Sequence, residues 1–408
     1  PISINQPAAG NLPPLNMCVA IFQPFFLVNG DVITCCLPAG SRIMGSNQTI
    51  ESIKPGDRVL SSTGEEQLVL NTFTRVYTGS LVTIKPKGLP EVKLTSEHPV
   101  LVVSRTKKGL TSPYWKEAYY VTKNDYVLIP RRKDSELFKV PISRNKEVEL
   151  VEVTSELSYL LGVYLASGYI FKKDPYAIEF GFKKDRSSIA FNISEILESL
   201  GLAPHLSYLE DRKRIVVRVY NKALRSYLSK FGMDSTSRVI PEEIKRLPNA
   251  LLRRFVQGWI DGNGHVSRTI SIHTSSDTLL YDAIEVLSKL GVPVGTYTRN
   301  RNESIIRGRK VNAKSENRII INFKDWVGKR KRQLHRKVTD EYIYVPVKQV
   351  SYEWVENLKV YNFETQDNTY VTTFVVHNCA QHEQNRRNWE KSMRMGNIFE
   401  AKDFRKIW

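Results

Sequence analysis

The chain has 408 residues, with 60 Lys/Arg against 42 Asp/Glu and 41% hydrophobic residues. That length exceeds what one hydrophobic core usually serves, so two or three domains are expected. Four cysteines without paired spacing argue against a secreted disulfide scaffold. The longest apolar run, 18–28, is interrupted by Gln23 and Pro24 and is too short to span a bilayer. A cytoplasmic monomer without signal peptide or membrane contact is the expectation.

In chain order, an amino-terminal flank carries Cys18 and ends at Cys35, with Cys36 directly after it; the fourth cysteine, Cys379, lies far downstream. From Gly40 to about Ser104, short alternating segments such as "IKPGDRVLSSTGEEQLVL" are broken by Gly and Pro, which predicts strands. From Thr154 the texture turns helical, in "SELSYLLGVYLASGYI" and "SSIAFNISEILESLGL". After about Tyr342 strand texture returns and runs to "TYVTTFVVHN". A helical block therefore interrupts a β-rich part.

That block contains an internal repeat. "GVYLASG" (Gly162 to Gly168) and "GWIDGNG" (Gly258 to Gly264) each carry glycines six apart in an apolar helical setting, which predicts two halves whose helices approach closely. The block is also basic. Residues 291–340 hold 14 Lys/Arg against 4 Asp/Glu, an excess that suits a polyanion because Lys and Arg release counterions from phosphates. Double-stranded DNA is the expected partner, contacted by Arg307, Arg309, Lys310, Lys329, Arg330, Lys331 and Arg332.

Three motifs, "CLPAGSRI" from Cys36, "LTSEHPVLV" from Leu94 and "VVHNC" up to Cys379, occur in an order that resembles an intein over about residues 36–378. The glycine repeat resembles the LAGLIDADG homing endonucleases that many inteins carry. The resemblance implies a mainly β, horseshoe-like, pseudo-twofold HINT splicing domain split by an α+β endonuclease domain of two pseudo-symmetric halves. It also implies a chemistry that needs no cofactor. The Cys36 thiol attacks the Cys35 carbonyl to give a thioester, helped by Thr95 and His98. Cys379 takes over the acyl group, a step that gains from holding the ends together. Asn378 then cyclises on its own carbonyl with His377 as proton-transfer partner, and the flanks join. One departure stands out: where such families often have Asp after "VY" and His a few residues on, this chain has Asn362 and Thr369.

In LAGLIDADG enzymes an acidic residue precedes the last glycine of each motif, and the two carboxylates hold divalent metal that activates water. The matching positions here are Ser167 and Asn263, while Asp261 matches an earlier, mainly structural acid. Mg²⁺-dependent cutting is therefore expected to be impaired. The flanks, 1–35 and 379–408, resemble the SPASM region of radical S-adenosylmethionine enzymes in the Cys18, Gly30, Cys35 spacing and in "GNIFEAKDFRKIW". That resemblance implies Cys18, Cys35 and Cys379 as iron–sulfur ligands of the spliced host.

The expected organisation is a flank (1–35), the first splicing part (36–150), an endonuclease-like DNA-binding domain (151–340), the second splicing part (341–378) and a flank (379–408). Two other readings compete with it: an endonuclease still active on DNA with the β part as scaffold, and an autoprocessing domain that cleaves without ligating. Cys379 directly after Asn378 favours ligation, since cleavage alone needs no downstream nucleophile.

Overall fold

Two very long strands, Glu66–Pro86 and Tyr342–Thr365, pair antiparallel and form the spine of the β part. In the computed structural model, residues 35–378 are described apart from 146, 172, 211–212, 300–303, 307–308, 312–315 and 330–336, and for 304–306 and 309–311 the backbone alone. Register shifts interrupt the spine between Val347 and Gln349, between Val355 and Leu358, and between Glu364 and Thr365. Such bulges bend a ribbon that would otherwise run straight. The spine belongs to a twelve-stranded sheet in which Asp125–Pro130 pairs with the start of Tyr342–Thr365, and Pro99–Thr106 pairs with Asp125–Pro130. Val100, Leu101, Val102 and Val103 are buried in succession, the pattern of a strand covered on both faces.

The two ends of the described chain meet in this sheet. Leu37–Pro38 pairs with Tyr361 and Val360 of the late spine strand, and Val375–His377 reaches Pro99–Thr106 through Val376 and Val100. The middle block leaves and returns at one place, because Pro130 and Tyr342 are register partners.

The block from Ser155 onwards is a duplication. Its first half runs from the helix Ser155–Ser167 through Gly168–Ile170, Ala177–Lys183, the helix Ser187–Ser199, His205–Leu209 and Arg214–Tyr220. The second runs from the helix Asn249–Asn263 through His265–Val266, Thr269–Thr274, the helix Asp277–Lys289, Val294–Arg299 and Glu316–Asn322. Each half forms a four-stranded sheet with the strands in the same spatial order: first, second, fourth, third. The second half adds a small hairpin, Ser304–Ile306 with Arg309–Val311.

Local chemistry sets the boundaries. The Thr154 side chain accepts from Leu157 N at 3.2 Å and caps the first helix, an interaction worth about 1 kcal/mol. Ser276 does the same for Leu279 N at 3.1 Å. The two leading helices pack backbone to backbone, which the glycines permit. A Cβ at Gly162 would sit 1.9 Å from Phe255 O, and one at Gly258 would sit 2.2 Å from Tyr159 O.

A hairpin, Lys139–Arg144 with Glu147–Glu152, docks onto the duplicated block, where Asn221 bonds both Ser143 N and Ser143 O. Where the block meets the β part, buried ions line the boundary. Arg132 reaches Glu66, Asp134, Glu242 and Glu285, while Lys245 reaches Glu242 at 2.6 Å, Asp282 at 2.8 Å and Glu285 at 3.2 Å. Among the described residues no helix is long and apolar enough to cross a membrane.

Candidate functional site

The Cys35–Cys36 peptide is buried and held from three sides. Cys36 N donates to Thr95 Oγ1 at 3.0 Å, and Thr95 returns its N–H to Cys36 O at 3.0 Å. The Asn362 amide donates to Cys35 O at 2.5 Å. Cys35 Sγ lies 3.9 Å from the carbonyl oxygen of His377, a residue 342 positions away. The peptide at the start of the described chain and the residues at its end thus share one pocket.

His98 sits inside this pocket and is fully buried. Desolvation, and then the neighbouring His377, push its pKa down to about 3; the backbones of Cys36 and His377 pull the other way. Burial likewise lowers His377 to about 4. Both imidazoles are therefore neutral near pH 7. The His377 ring stands edge-on to Trp115, centroids 5.2 Å apart.

Asn378 is completely buried. Its N–H donates to Asn368 O at 2.8 Å, its Nδ2 donates to Thr365 Oγ1 at 3.0 Å, and its Oδ1 has no hydrogen-bond partner among the described residues. The Thr365–Thr369 turn that receives Asn378 is organised by Asp367, whose Oδ1 accepts from Thr369 N at 3.0 Å and Thr369 Oγ1 at 2.9 Å. Of the residues read from sequence, Cys36, Thr95, His98, His377 and Asn378 come together here. Asn362 and Thr365 join them. In the sequence Asn362 stands out only as a departure and Thr365 not at all; its place beside Asn378 depends on strand pairing that no local pattern reveals. Cys18 and Cys379 lie outside the described residues.

At the duplicated block, Ser167 and Asn263 end the two leading helices. Ser167 Oγ donates to Gly262 O at 3.0 Å, and Asn263 Nδ2 reaches His273 O at 3.4 Å. Asp261 points elsewhere: its carboxylate accepts from Tyr159 Oη at 3.0 Å and Gln257 Nε2 at 2.7 Å. Burial and this carboxylate raise the Tyr159 phenol to about 12. A hydroxyl and an amide are poor donors for Mg²⁺, and the nearby Asp261 carboxylate is already committed to Tyr159 and Gln257. The residues at the two helix ends do not fit a divalent-metal centre.

Each four-stranded sheet has one apolar face, exemplified by Phe180, Val217, Ile272 and Ile319, and one exposed face. On the exposed face, register aligns Tyr169, Glu179, Arg218 and His205 across the first sheet, with Lys183 and Arg214 as neighbours. Across the second it aligns His273, Arg318 and Tyr297, with Arg299 beyond. These cations are not among those expected from the sequence, although the alternation in "RIVVRVY" carries the signal. Lys329 is exposed just after the helix Phe323–Trp326. Arg307, Arg330, Lys331 and Arg332, and the side chains of Arg309 and Lys310, lie outside the described residues.

No family model matches the chain. Its curated relatives include an iron-sulfur cluster assembly SufBD family protein of Mycobacterium tuberculosis, 26% identical over 85% of this chain and 43% of that protein. The ATP-dependent DNA helicase Hel308 of Thermococcus kodakarensis is 24% identical over 81% of this chain and 35% of its own length. DNA-directed RNA polymerase subunit Rpo1C of Methanocaldococcus jannaschii is 24% identical over 66% of this chain and 33% of its own. The chain spans less than half the length of each. Similar solved structures include the homing endonuclease I-DmoI, 16% identical with TM-score 0.31 over 43% of this chain and 92% of that one. The homing endonuclease I-WcaI bound to its DNA recognition sequence is 14% identical with TM-score 0.27 over 42% of this chain and 76% of that one.

Proposed function

We propose that the chain excises residues 36–378 and joins its flanks by protein splicing. The observation that carries this reading is the shared pocket of the Cys35–Cys36 peptide, His98, His377 and Asn378. In the first step neutral His98 takes the Cys36 thiol proton, Sγ attacks the Cys35 carbonyl carbon, and the C–N bond breaks as His98 returns the proton to the departing Cys36 nitrogen. Asn362 supports the negative charge on the Cys35 oxygen. The Cys379 thiol then displaces Cys36 from the thioester, and Asn378 cyclisation releases the insert. An S-to-N shift leaves Cys35 joined to Cys379 by a peptide bond.

The relatives support this from another side. An iron-sulfur assembly protein, a helicase and an RNA polymerase subunit have no common activity, yet each matches this chain over a minor part of its length. A segment shared among otherwise unrelated proteins is what an inserted element leaves behind. The test is intact mass of the full chain over time under reducing, native conditions. The expected products are a 343-residue piece, 36–378, and a joined piece of 65 residues. Persistence of intact precursor would overturn the proposal, and release of separate flanks would favour cleavage without ligation.

The duplicated block supports a second, compatible role. Its two exposed sheet faces bear cations and aromatics, which suits binding along duplex DNA without cutting it. Ser167→Asp with Asn263→Asp is expected to raise Mg²⁺-dependent double-strand cutting of the uninterrupted host-gene site, each single change doing less. Efficient cutting by the unaltered chain would overturn the reading of those positions.

A further inference from the structure

We infer that Thr365 and Asp367 form the route by which the Asn378 side-chain amide loses its proton during cyclisation. This rests on the splicing proposal and deepens it. An amide nitrogen attacks a carbonyl only when a proton is drawn from it, so a base must lie within reach of Nδ2. The acceptor of Nδ2 is the Thr365 hydroxyl at 3.0 Å. That hydroxyl can itself donate to Asp367 Oδ1 at 3.3 Å or to Thr369 O at 3.0 Å, so a small rotation completes a path from nitrogen to carboxylate. The position where the resembling families have His is Thr369, and both its N–H and its hydroxyl serve to hold Asp367 Oδ1. The turn thus contains no imidazole, and its one ionisable group is Asp367.

The surroundings suit the role. Burial raises the Asp367 carboxyl above its ordinary range against hydrogen bonds from Thr369, Ser61 and Thr365, which makes it a stronger base. Tyr342 is the titratable side chain facing it, and Gln67 accepts from its backbone N–H at 2.9 Å. The bond from Asn378 N to Asn368 O fixes Asn378 against the same turn. In the step, Nδ2 bonds to the Asn378 carbonyl carbon and the peptide bond to residue 379 breaks. One Nδ2 proton passes through the Thr365 hydroxyl to Asp367. The departing nitrogen receives one proton from solvent, relayed through neutral His377, which takes up one proton as it passes one on, and Asp367 returns its proton to solvent. Thr365 touches the reacting atom and is a catalytic residue; Asp367 acts through it and is a positioning residue.

The test uses the full chain with Asp367→Asn, Asp367→Glu, Thr365→Val and Thr365→Ser, following two rates by intact mass: thiol-induced cleavage after Cys35, and release of the insert at Asn378. The expected result is that D367N and T365V slow release by roughly 100-fold or more and accumulate branched intermediate, while thiol cleavage keeps its rate and shows the pocket to be folded. T365S and D367E recover part of the release. The wild-type release rate rises with pH to a plateau, and D367N loses that rise. Release at the wild-type rate, with the same pH profile, in D367N and T365V would overturn the relay and leave splicing standing. A chain with neither thiol-sensitive bond nor excised product would remove the splicing proposal and the relay with it.

Discussion

Asn362 donates from Nδ2 to the carbonyl oxygen of Cys35 at 2.5 Å while its Oδ1 accepts from Phe363 N at 2.9 Å, so the amide can be oriented only one way. An ionised aspartate could not substitute, because a carboxylate has no proton to offer a carbonyl oxygen. Asn362→Ala is expected to slow thiol-induced cleavage after Cys35 by roughly 10²- to 10³-fold, the usual loss when one oxyanion donor is removed. Rates measured in an Asn378→Ala background isolate this step; an unchanged rate there would show the hydrogen bond to be incidental.

The two buried histidines predict a pH dependence of stability. Their folded values, about 3 for His98 and about 4 for His377, lie below the ordinary imidazole value. The unfolded chain therefore takes up protons that the folded chain refuses. Their contribution is complete above about pH 6.5 and is lost as pH falls toward those folded values. Urea unfolding of a non-splicing Cys36→Ala, Asn378→Ala chain at pH 7 and pH 4.5 measures the slope, which His98→Gln should flatten. An unaltered slope would assign it to other groups.

The helix packing at the repeat is tight enough to be probed by one methyl group. Gly162→Ala and Gly258→Ala each push a Cβ into a carbonyl oxygen of the facing helix, at a cost of about 1–3 kcal/mol or more. Thermal unfolding of the non-splicing chain reads this directly, and melting at the parent temperature would mean the helices separate more easily than their packing suggests.

For DNA, replacing Arg214, Arg218, Arg299 and Arg318 one at a time with Ala should weaken binding at low salt. Each cation withdrawn from a phosphate should reduce the slope of log K against log salt by about 0.9. Titration of labelled duplex at several salt concentrations is the measurement, and slopes insensitive to all four changes would move the binding surface elsewhere.

Much of the layout is legible in the sequence. The helical block begins at Ser155 after Thr154, as the 3.6 period indicates, and strand texture resumes at Tyr342 where the late spine strand starts. The hairpin Lys139–Glu152 is hidden, because Val148 and Leu150 lie on its exposed side and blur the alternation. The basic face extends well beyond the dense run in 291–340. Lys183 lies some thirty residues before Arg214 and Arg218 along the chain, and the three gather on one face only when the strands pair. Asn362 and Thr365 belong to the candidate site through long-range register, which spacing along a chain does not encode.

The pairing of Pro130 with Tyr342 makes nearly everything between them, for the sheet, a single excursion that starts and finishes at adjacent rungs, with the short strand Lys337–Val338 pairing back onto Tyr344 and Ile343 on the way in. A short turn could bridge that gap, since the two residues face each other across neighbouring strands. At the ion cluster, removal would uncover Arg132, Glu66 and Asp134, groups that water readily solvates. A compact version of the β part, with its middle trimmed away, would at that point present a polar edge already suited to solvent.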